Sequence, residues 1–378
     1  MRPEPARPGD PEPHLADLGP AVRLETVPFQ DRDARGPTAR LQLIADRVRA
    51  AWLAWRRGHP YSVAKYHQPR LSARASELVR DFAPDVVQVE YLQLAGVALD
   101  LAARRPPGRP PRLVLDSHEH GALPRRRRAA LAGPWRRRRL EAEAAAWDRL
   151  ACEVSRRMDA VLCVTEQDRR LLADAGAVNL VTVPLGIDTD ALRPRPADAG
   201  PPQALFVGSF AHPPNRDAAT LLCDRIWPAV QAALPGWRLV LAGPGSREFL
   251  VRRTTVPAGI EARGFVADLD PLFAASRLFL APLFTGGGIK IKILEAMARG
   301  IPLVTTPIGA EGIATRDQDL VGWATDPDTF IAAVVDLAGR PEAAAERAAR
   351  ARDHVVREFS WTAVIGRLEV IYRGGPVS

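Results

Sequence analysis

The sequence predicts an α/β protein made of two doubly wound parallel sheets. The chain has 378 residues, which is about the length of two ordinary α/β domains. Short apolar runs alternate with helical stretches along both halves. A stretch rich in proline and glycine, residues 193–202, separates the halves and is predicted to be a linker. Ligands bind such sheets at the carboxyl ends of strands, so two facing sheets favour a small-molecule site in the cleft between them.

The first domain is predicted to occupy residues 1–192. Residues 1–20 are proline-rich without a hydrophobic period, and we expect them to be irregular. Apolar runs rich in valine, leucine and isoleucine predict strands at 22–27, 86–90, 113–116, 160–164 and 180–183. Helical periodicity predicts helices near 38–57, 71–82, 92–104, 135–157 and 166–175.

The second domain, 203–378, repeats the alternation. Its predicted strands are 204–207, 239–242, 260–262, 278–282, 303–305 and 320–323. Its predicted helices lie near 216–234, 268–276, 290–299 and 328–357. We expect the last helix of the chain to pack back on the first domain.

The composition is that of a globular protein. Apolar residues make up 47% and charged residues 25%, which excludes disorder of the whole chain. The sequence has no apolar run long enough to span a bilayer and begins with prolines rather than an apolar signal segment, so we expect a cytoplasmic protein. The three cysteines are far apart in sequence, which argues against a zinc site or a disulfide framework.

Arginine gives the chain a net charge of +8, and part of this charge is concentrated in two runs. Leu131 and Trp135 lie between the runs. Such a stretch can bind anionic lipid headgroups at the inner face of a membrane, can contact nucleic acid phosphates, or can be a solvated helix face balanced by Glu141 and Glu143. The pattern leaves these alternatives open, and we expect no nucleic acid partner. The runs are Arg125, Arg126, Arg127 and Arg128, and Arg136, Arg137, Arg138 and Arg139.

The strand 278–282 leads into the segment that carries the chemistry. Three glycines, Gly286, Gly287 and Gly288, let the backbone approach a bulky anion, and the helix that follows offers unpaired amide donors. Lys290 and Lys292 stand in its first turn, which is unfavourable for cations unless a bound anion such as a diphosphate offsets them.

Further along the same helix, Glu295 is placed to accept hydrogen bonds from a ribose diol. Ile289, Ile293 and Met297 recur on a helical period and should form the buried stripe. The alternative is structural, with Lys292 and Glu295 forming a weak helical ion pair and the glycines forming only a turn.

The stretch GGGIKIKILEAMARGIPLVTT, followed by GAEG at 309–312, resembles the donor-binding signature of the GT-B family of group 1 glycosyltransferases. It is more narrowly similar to family 4-like sugar transferases of bacterial polysaccharide gene clusters. Further segments match in order at 86–90, 115–119, 159–166, 183–188, 206–209 and 263–266. The resemblance implies two Rossmann-like domains facing a cleft, a nucleotide-sugar donor in the second, a saccharide or lipid-linked acceptor in the first, and transfer with retention of anomeric configuration.

The resemblance also implies roles for particular residues. His118 matches a histidine that touches the donor sugar across the cleft, and with Lys292 and Glu295 it completes the expected catalytic set. Phe265 and Val266 match the place where the nucleobase binds. The remaining expected donor-binding residues are Gly208, Ser209, Gly286, Gly287, Gly288, Ile289 and Lys290.

Two positions depart from the family pattern. A glutamate usually stands eight residues before the one matching Glu295, where this chain has Gly287. The family's arginine and lysine pair after the first strand of the second domain is absent, because Gly208 is followed by Ser209 and then FAHPPN. Lys290 and Lys292 are therefore the expected phosphate partners.

The expected chemistry needs no cofactor and no metal. Asp268 and Asp270 open a helix and are predicted to cap it rather than chelate an ion. The glycine-loop amides and the lysines would stabilise the leaving diphosphate, and a donor phosphate oxygen would take the acceptor proton in a front-face attack. Closure of the two domains would align donor and acceptor.

The family places a strand, a glycine loop and a helix before the strand that 22–27 is expected to match. We therefore expect the first domain to lack its first βαβ unit. That departure and Gly287 also suit a degenerate sugar-nucleotide-binding or membrane scaffold protein. A sugar-nucleotide epimerase of the same fold is a further alternative, although the segment offers only Glu295 as an acid or base. A dinucleotide-dependent dehydrogenase fits poorly, since no strand with a following GxGxxG motif occurs.

Overall fold

The computed structural model describes residues 22–27, 37–118, 121–194 and 201–375, without the side chains of 37–43 and 317. The predictions for 1–20 lie outside this part of the chain. Within it, two parallel sheets carry helices on their faces, as the sequence predicts.

The first sheet has four strands in the order β1, β2, β3, β4, all parallel. Each is a short apolar run, and β3 is buried along its whole length because helices cover both of its faces. The strands are β1 Val86–Glu90, β2 Arg112–Asp116, β3 Ala160–Cys163 and β4 Leu180–Thr182. The helices are α1 Pro37–Arg57, α2 Tyr61–Tyr66, α3 Pro69–Phe82, α4 Ala95–Ala103, α5 Leu123–Ala130, α6 Pro134–Ser155 and α7 Glu166–Asp174.

The strand predicted at 22–27 does not form. This segment pairs with no strand, and the side chains of Val22 and Leu24 are exposed. Glu25 attaches it to α3 through an ion pair with Arg74 at 3.1 Å. Its alternating apolar residues have no buried face to occupy, so the alternation is not a strand signal here.

The second sheet has six parallel strands in the order β10, β9, β8, β5, β6, β7. Its central strands β5, β6 and β8 are almost entirely buried and form the larger core of the molecule. The strands are β5 Gln203–Val207, β6 Arg238–Ala242, β7 Ile260–Gly264, β8 Leu278–Ala281, β9 Leu303–Thr305 and β10 Gly322–Trp323. The helices are α8 Pro213–Leu221, α9 Trp227–Ala233, α10 Ser246–Val251, α11 Asp270–Ala274, α12 Ile291–Ala298, α13 Pro327–Gly339, α14 Pro341–Phe359 and α15 Trp361–Tyr372.

The single helix predicted at 328–357 is two helices, α13 and α14. Pro341 has no amide hydrogen to continue the ladder of α13, and it begins α14 as a first-turn proline. The helix predicted at 216–234 is likewise α8 and α9, joined by a π-helical turn at Leu222–Ile226.

The last helix, α15, belongs to the second half of the chain but packs on the first sheet. Val364 and Ile371 join a small apolar cluster with Val114, Leu162 and Val183. This helix therefore supplies the apolar cover for one face of β2 and β3.

The chain passes between the halves twice at one place. Ile187 donates its amide hydrogen to the Phe359 carbonyl oxygen at 2.8 Å, and Ile187 forms a parallel bridge with Ser360. A Cβ atom on Gly186 would lie 2.4 Å from the Trp361 ring, so glycine is needed where the two segments cross. The crossing segments are thus packed against each other rather than separate.

Candidate active site

The glycine loop connects β8 to α12 and has the backbone shape that only glycine adopts without strain. Gly286 has φ +110° and Gly288 has φ +73°. Lys290 precedes the helix, and its carbonyl accepts a hydrogen bond from Ile293 at 2.8 Å. The predicted order of strand, glycine loop and helix is therefore present.

Lys292 lies in the first turn of α12 with its amine turned into the protein. The Nζ atom donates to Asn215 Oδ1 at 2.5 Å and lies 4.9 Å from the centre of the Phe206 ring. Burial and the neighbouring Lys290 lower its pKa to about 8. Among the described residues no carboxylate forms an ion pair with this amine, so its charge is available to a bound anion.

Lys290 is also mostly buried, and its amine faces the same loop. The Nζ atom donates to the Gly288 carbonyl at 2.5 Å and lies 3.7 Å from a carboxylate oxygen of Glu311. Burial lowers the pKa of Lys290, and the charge of Glu311 partly opposes that shift.

Asn215 joins the lysine to the turn after β5. Its amide nitrogen donates to the Ser209 carbonyl at 3.0 Å while its oxygen accepts from Lys292. A Cβ atom on Gly208 would lie 2.8 Å from Asn215 and 2.9 Å from the Lys292 amine, so this turn admits only glycine. The structure thus brings the predicted residues Gly208, Ser209 and Lys292 together.

Sequence reasoning did not identify Asn215. The feature that could have identified it is its place at the start of α8, the helix that follows the buried strand β5. Ligands bind doubly wound sheets at such positions.

Glu295 lies one turn further along α12 and is partly buried. Burial raises its pKa above the ordinary value. The alternative interpretation requires an ion pair between Glu295 and Lys292. Among the described residues this ion pair is absent, because Lys292 donates to Asn215 instead. Ile293 and Met297 are fully buried and Ile289 packs against the core, so the predicted apolar stripe is confirmed.

Phe265 and Val266 follow β7 at the same carboxyl edge of the sheet. Phe265 is 72% exposed, whereas Val266 packs on the core. Between β8 and β7 lie β5 and β6, so the two sites are separated by three strand spacings, roughly 14 Å at about 4.8 Å each. That separation suits a nucleoside diphosphate whose base and phosphates bind at opposite ends.

His118 follows β2 in a left-handed backbone conformation, φ +54°, and is held on three sides. Its Nε2 lies 2.6 Å from a carboxylate oxygen of Glu90, and its amide donates to Asp116 Oδ1 at 3.1 Å. The ring stacks on Tyr91 with centroids 3.9 Å apart. Residue 119, the next in the sequence, lies outside the described residues, and the carboxylate that contacts the His118 ring is that of Glu90.

Glu90, Asp116 and His118 place three potential metal-ligand atoms within 4.8 Å of one another. Their contacts are those of a carboxylate–imidazole hydrogen bond supported by a backbone amide. Burial raises the pKa of Asp116. The other acidic candidate, Asp268, accepts a hydrogen bond from the Asp270 amide at 2.9 Å just before α11. The N-cap residue of α11 is Leu269, which makes no side-chain cap, so the predicted capping by Asp268 or Asp270 is not found there.

The two halves meet beside the glycine loop. Arg127 on α5 donates through Nη1 to the Gly286 carbonyl at 3.1 Å and through Nη2 to Glu311 at 3.2 Å. An open cleft of about 930 Å³ lies next to this contact, lined by Arg127 and Glu311 and by Thr165 and Glu166 of the first half. A cleft between the two halves is therefore present, but the described residues that line it include neither His118 nor the glycine loop and its lysines.

The two arginine runs differ in their surroundings. In the first run Arg125 bonds Glu143 at 2.9 Å, and Arg126 bonds Asp148 at 2.5 Å. In the second, all four arginines are exposed, although Arg137 pairs with Glu141 along α6. Between the runs, Leu131 is 92% exposed and Trp135 is 88% exposed.

Family models match both halves of the chain. The model described as Glycosyltransferase Family 4 matches residues 13–191, and the model described as Glycosyl transferases group 1 matches residues 201–340. The chain belongs to the group 1 glycosyltransferases. The resemblance noted in the sequence is thus confirmed for both halves of this family 4-like glycosyltransferase.

Among named relatives, the glycosyltransferase is similar to two mycobacterial proteins. It is 28% identical over 223 residues to a phosphatidyl-myo-inositol mannosyltransferase of Mycobacterium leprae, covering 56% of the chain and 58% of the relative. It is 32% identical over 222 residues to a GDP-mannose-dependent alpha-(1-6)-phosphatidylinositol dimannoside mannosyltransferase of Mycobacterium tuberculosis, covering 54% of each. The chain therefore spans a little over half the length of these relatives.

Two solved structures superpose on most of this chain. A glycosyltransferase from Rickettsia africae superposes with a TM-score of 0.61 at 13% identity, covering 82% of each chain. HepE of Anabaena, solved in complex with UDP, superposes with a TM-score of 0.59 at 16% identity, covering 80% of this chain and 83% of HepE. At these identities the likeness shows the fold, and the predicted GT-B architecture is confirmed.

Proposed function

We propose that this glycosyltransferase transfers a sugar, with retention, from a nucleotide-diphosphate sugar to a lipid-linked or saccharide acceptor in glycolipid or surface polysaccharide synthesis. The observation that carries the proposal is Lys292, a buried amine beside the glycine loop that has an amide oxygen but no carboxylate as partner among the described residues. Burying an uncompensated cation is costly unless a ligand supplies the opposite charge.

In the proposed complex the diphosphate lies over the glycine loop. The loop amides, the first turn of α12 and the amines of Lys290 and Lys292 stabilise it as negative charge develops on the leaving group. Glu295 accepts hydrogen bonds from the ribose, and the base binds near Phe265. The complex of the structural neighbour HepE with UDP supports a nucleotide at this fold.

The sugar is proposed to lie between the glycine loop and His118. Because Glu90 contacts Nε2, the other ring nitrogen, Nδ1, is the one proposed to hydrogen-bond a hydroxyl group of the substrate. The loop segment 284–290 contains no carboxylate to act as a nucleophile. Attack of the acceptor on the face that the leaving group departs from, with a donor phosphate oxygen taking its proton, retains the anomeric configuration without metal or cofactor.

The acceptor is proposed to be presented at the inner face of a membrane. The mycobacterial relatives are named as phosphatidylinositol mannosyltransferases, which supports a lipid-linked acceptor. Leu131, Trp135, Arg136, Arg138 and Arg139, here called the hairpin patch, combine exposed apolar and basic groups at the turn between α5 and α6. Among the described residues no helix is long and apolar enough to cross a bilayer.

The proposal is tested first by binding. Isothermal calorimetry against UDP, GDP and their sugar conjugates should give saturable binding of at least one nucleotide by the purified protein. The double variant Lys290→Ala and Lys292→Ala should weaken that binding by 100-fold or more while the circular dichroism spectrum is unchanged. Unaltered affinity in the variant would place the nucleotide elsewhere.

Transfer is tested with the nucleotide sugar that binds and a panel of phosphatidylinositol and saccharide acceptors. The product should keep the anomeric configuration of the donor by NMR, and excess EDTA should leave the rate unchanged. Binding without transfer to any acceptor would favour the scaffold alternative, and conversion of the donor sugar without an acceptor would favour an epimerase. A rate lost with EDTA and restored by a divalent ion would direct attention to Glu90, Asp116 and His118.

A further inference from the structure

Arg127 occupies the space beside the position at which this chain lacks the family's expected carboxylate. A Cβ atom placed on Gly287 would lie 3.2 Å from Arg127 Nη1. A glutamate at this position would bring its carboxylate against a guanidinium that comes from the other half of the chain. The departure at Gly287 and the presence of Arg127 are therefore features of one site.

Arg127 differs from its neighbours on α5 in where it makes its contacts. Arg125 and Arg126 bond to Glu143 and Asp148 on α6, within the first half. Arg127 instead reaches the second half, where it bonds to the Gly286 carbonyl and to Glu311. Among the described residues of the first arginine run, Arg127 is the one that contacts the glycine loop.

The charges around the loop do not balance. Three cations, Arg127, Lys290 and Lys292, lie at the loop. Among the described residues, Glu311 is the carboxylate that pairs with two of them, Arg127 and Lys290. The Glu311 side chain is only 11% exposed. Its Oε1 accepts a hydrogen bond from Arg127, and its Oε2, which has no hydrogen-bond partner, lies 3.7 Å from the Lys290 amine. One carboxylate therefore faces three cations, which leaves positive charge in excess at the loop.

We propose that Arg127 binds the diphosphate of the nucleotide sugar from the first half of the chain, and that Glu311 holds Arg127 in place until the donor arrives. This inference rests on the proposed function. A guanidinium presents five N–H donors in a planar fork, and the two observed contacts leave donors for two phosphate oxygens. Arg127 thereby takes the role that an arginine or lysine would have in residues 208–215, where this chain has neither.

Two consequences follow for donor binding. The diphosphate carries more negative charge than Glu311 and displaces that carboxylate from Arg127 and Lys290. The donor, held by lysines of the second half and an arginine of the first, also joins the two halves, so that binding and closure of the cleft are coupled.

The test measures the affinity of the full-length protein for UDP and GDP by calorimetry. Arg127→Ala should weaken binding of the preferred nucleoside diphosphate tenfold or more, and Arg127→Lys should restore only part of it because a single amine cannot bind two oxygens. Arg128→Ala is the matched control, since Arg128 is the next residue of α5 and is exposed, and it should bind like the unaltered protein. Glu311→Gln should bind more tightly, because the competing charge is gone.

Thermal unfolding identifies variants that fail to fold, in which case Arg127→Met replaces Arg127→Ala. If Arg127→Ala and Arg128→Ala bind equally well while Lys292→Met does not bind, Arg127 is only a contact between the halves and the inference is wrong with the proposed function intact. If Glu311→Gln weakens binding as much as Arg127→Ala does, the competitive role of Glu311 is overturned. If the unaltered protein binds neither nucleotide, the proposed function itself fails.

Discussion

At the start of α12 a lysine is buried against an amide oxygen and an aromatic ring, which is an arrangement that favours the neutral amine. The pKa of Lys292 falls from 10.5 to about 8. Because the folded-state pKa is the lower one, the unfolded chain binds the proton more tightly. The charged lysine therefore destabilises the fold below pH 8, and this penalty disappears as the pH rises from about 8 to 10.5.

The first prediction is that Lys292→Met stabilises the protein and abolishes nucleotide binding. Each unit of pKa shift corresponds to about 1.36 kcal/mol, so after allowance for relaxation the free energy of unfolding at pH 7 should rise by roughly 1–3 kcal/mol. Denaturant unfolding and calorimetry measure the two effects. A variant that is both destabilised and unable to bind would indicate that the lysine serves the fold.

The second prediction concerns pH. Nucleoside diphosphate affinity should fall as the pH rises above about 8, since the amine of Lys292 must be protonated to bind the anion. Between pH 8 and 9 binding should also take up a proton, which appears as a dependence of the calorimetric enthalpy on the ionisation enthalpy of the buffer. Loss of both effects in Lys292→Met would assign them to this residue, whereas persistence in that variant would exclude it.

The third prediction is that Glu90 acts through His118. Glu90→Gln keeps the shape of the side chain but removes the charge that orients the imidazole at 2.6 Å. The transfer rate constant kcat should fall about 10- to 100-fold, the equivalent of one hydrogen bond to a charged group, while the KM for the donor and nucleotide binding stay unchanged. Asp85→Asn, which alters an exposed carboxylate just before the same strand, is the control. A matching loss of donor affinity in Glu90→Gln would contradict the assignment.

Local spacing predicted Lys290, Lys292 and Glu295, because a strand, a glycine loop and a helix are contiguous in the chain. Arg127 lies 159 residues from the Gly286 carbonyl that it contacts, so no local pattern relates them. The sequence motif showed that an expected carboxylate was missing, but only the packing of the two halves shows what stands beside Gly287.

In the hairpin of α5 and α6, arginines at different positions make different contacts. Helix α5 was not predicted, since four consecutive arginines leave no apolar period to detect. Once it forms, the arginines nearest the core bond to α6 and to the glycine loop, and the turn carries the exposed hairpin patch. The buried strands were predicted more closely, because an apolar run between turn residues is a strong local signal.

The fourth prediction is that the hairpin patch binds anionic membranes. Replacing Arg136, Arg138 and Arg139 with glutamine should reduce sedimentation with phosphatidylglycerol vesicles by about 100-fold in affinity, at about 1 kcal/mol for each charge, and added salt should mimic the change. Trp135→Ser should also weaken binding. Trp55→Ser, at a tryptophan that is 82% exposed on α1, serves as its control. Equal binding to neutral and anionic vesicles would refute the role of the arginines, and binding to neither would show that the patch is simply solvated.

At the scale of the whole molecule, the proposed site depends on the approach of the two halves. The second half supplies the glycine loop and both lysines, and Arg127 of the first half contacts that loop. His118 joins the site only in the proposed complex. The sequence predicted two sheets and a cleft because the alternation of strands and helices restarts after the linker. It did not predict how closely the halves approach, which depends on side chains distant in sequence.

Helix α15 follows the second sheet in the chain but covers apolar residues of the first sheet. The two halves should therefore depend on each other for folding. A gene cut within the linker would produce two fragments, each exposing apolar surface that the other normally hides, with Val364 and Ile371 left uncovered on the second. We predict that the fragments are insoluble when made separately but form a soluble complex when co-expressed, because α15 of the second fragment packs on the first. Complementation should disappear when the second fragment ends before Trp361, and soluble, folded fragments made alone would refute the idea.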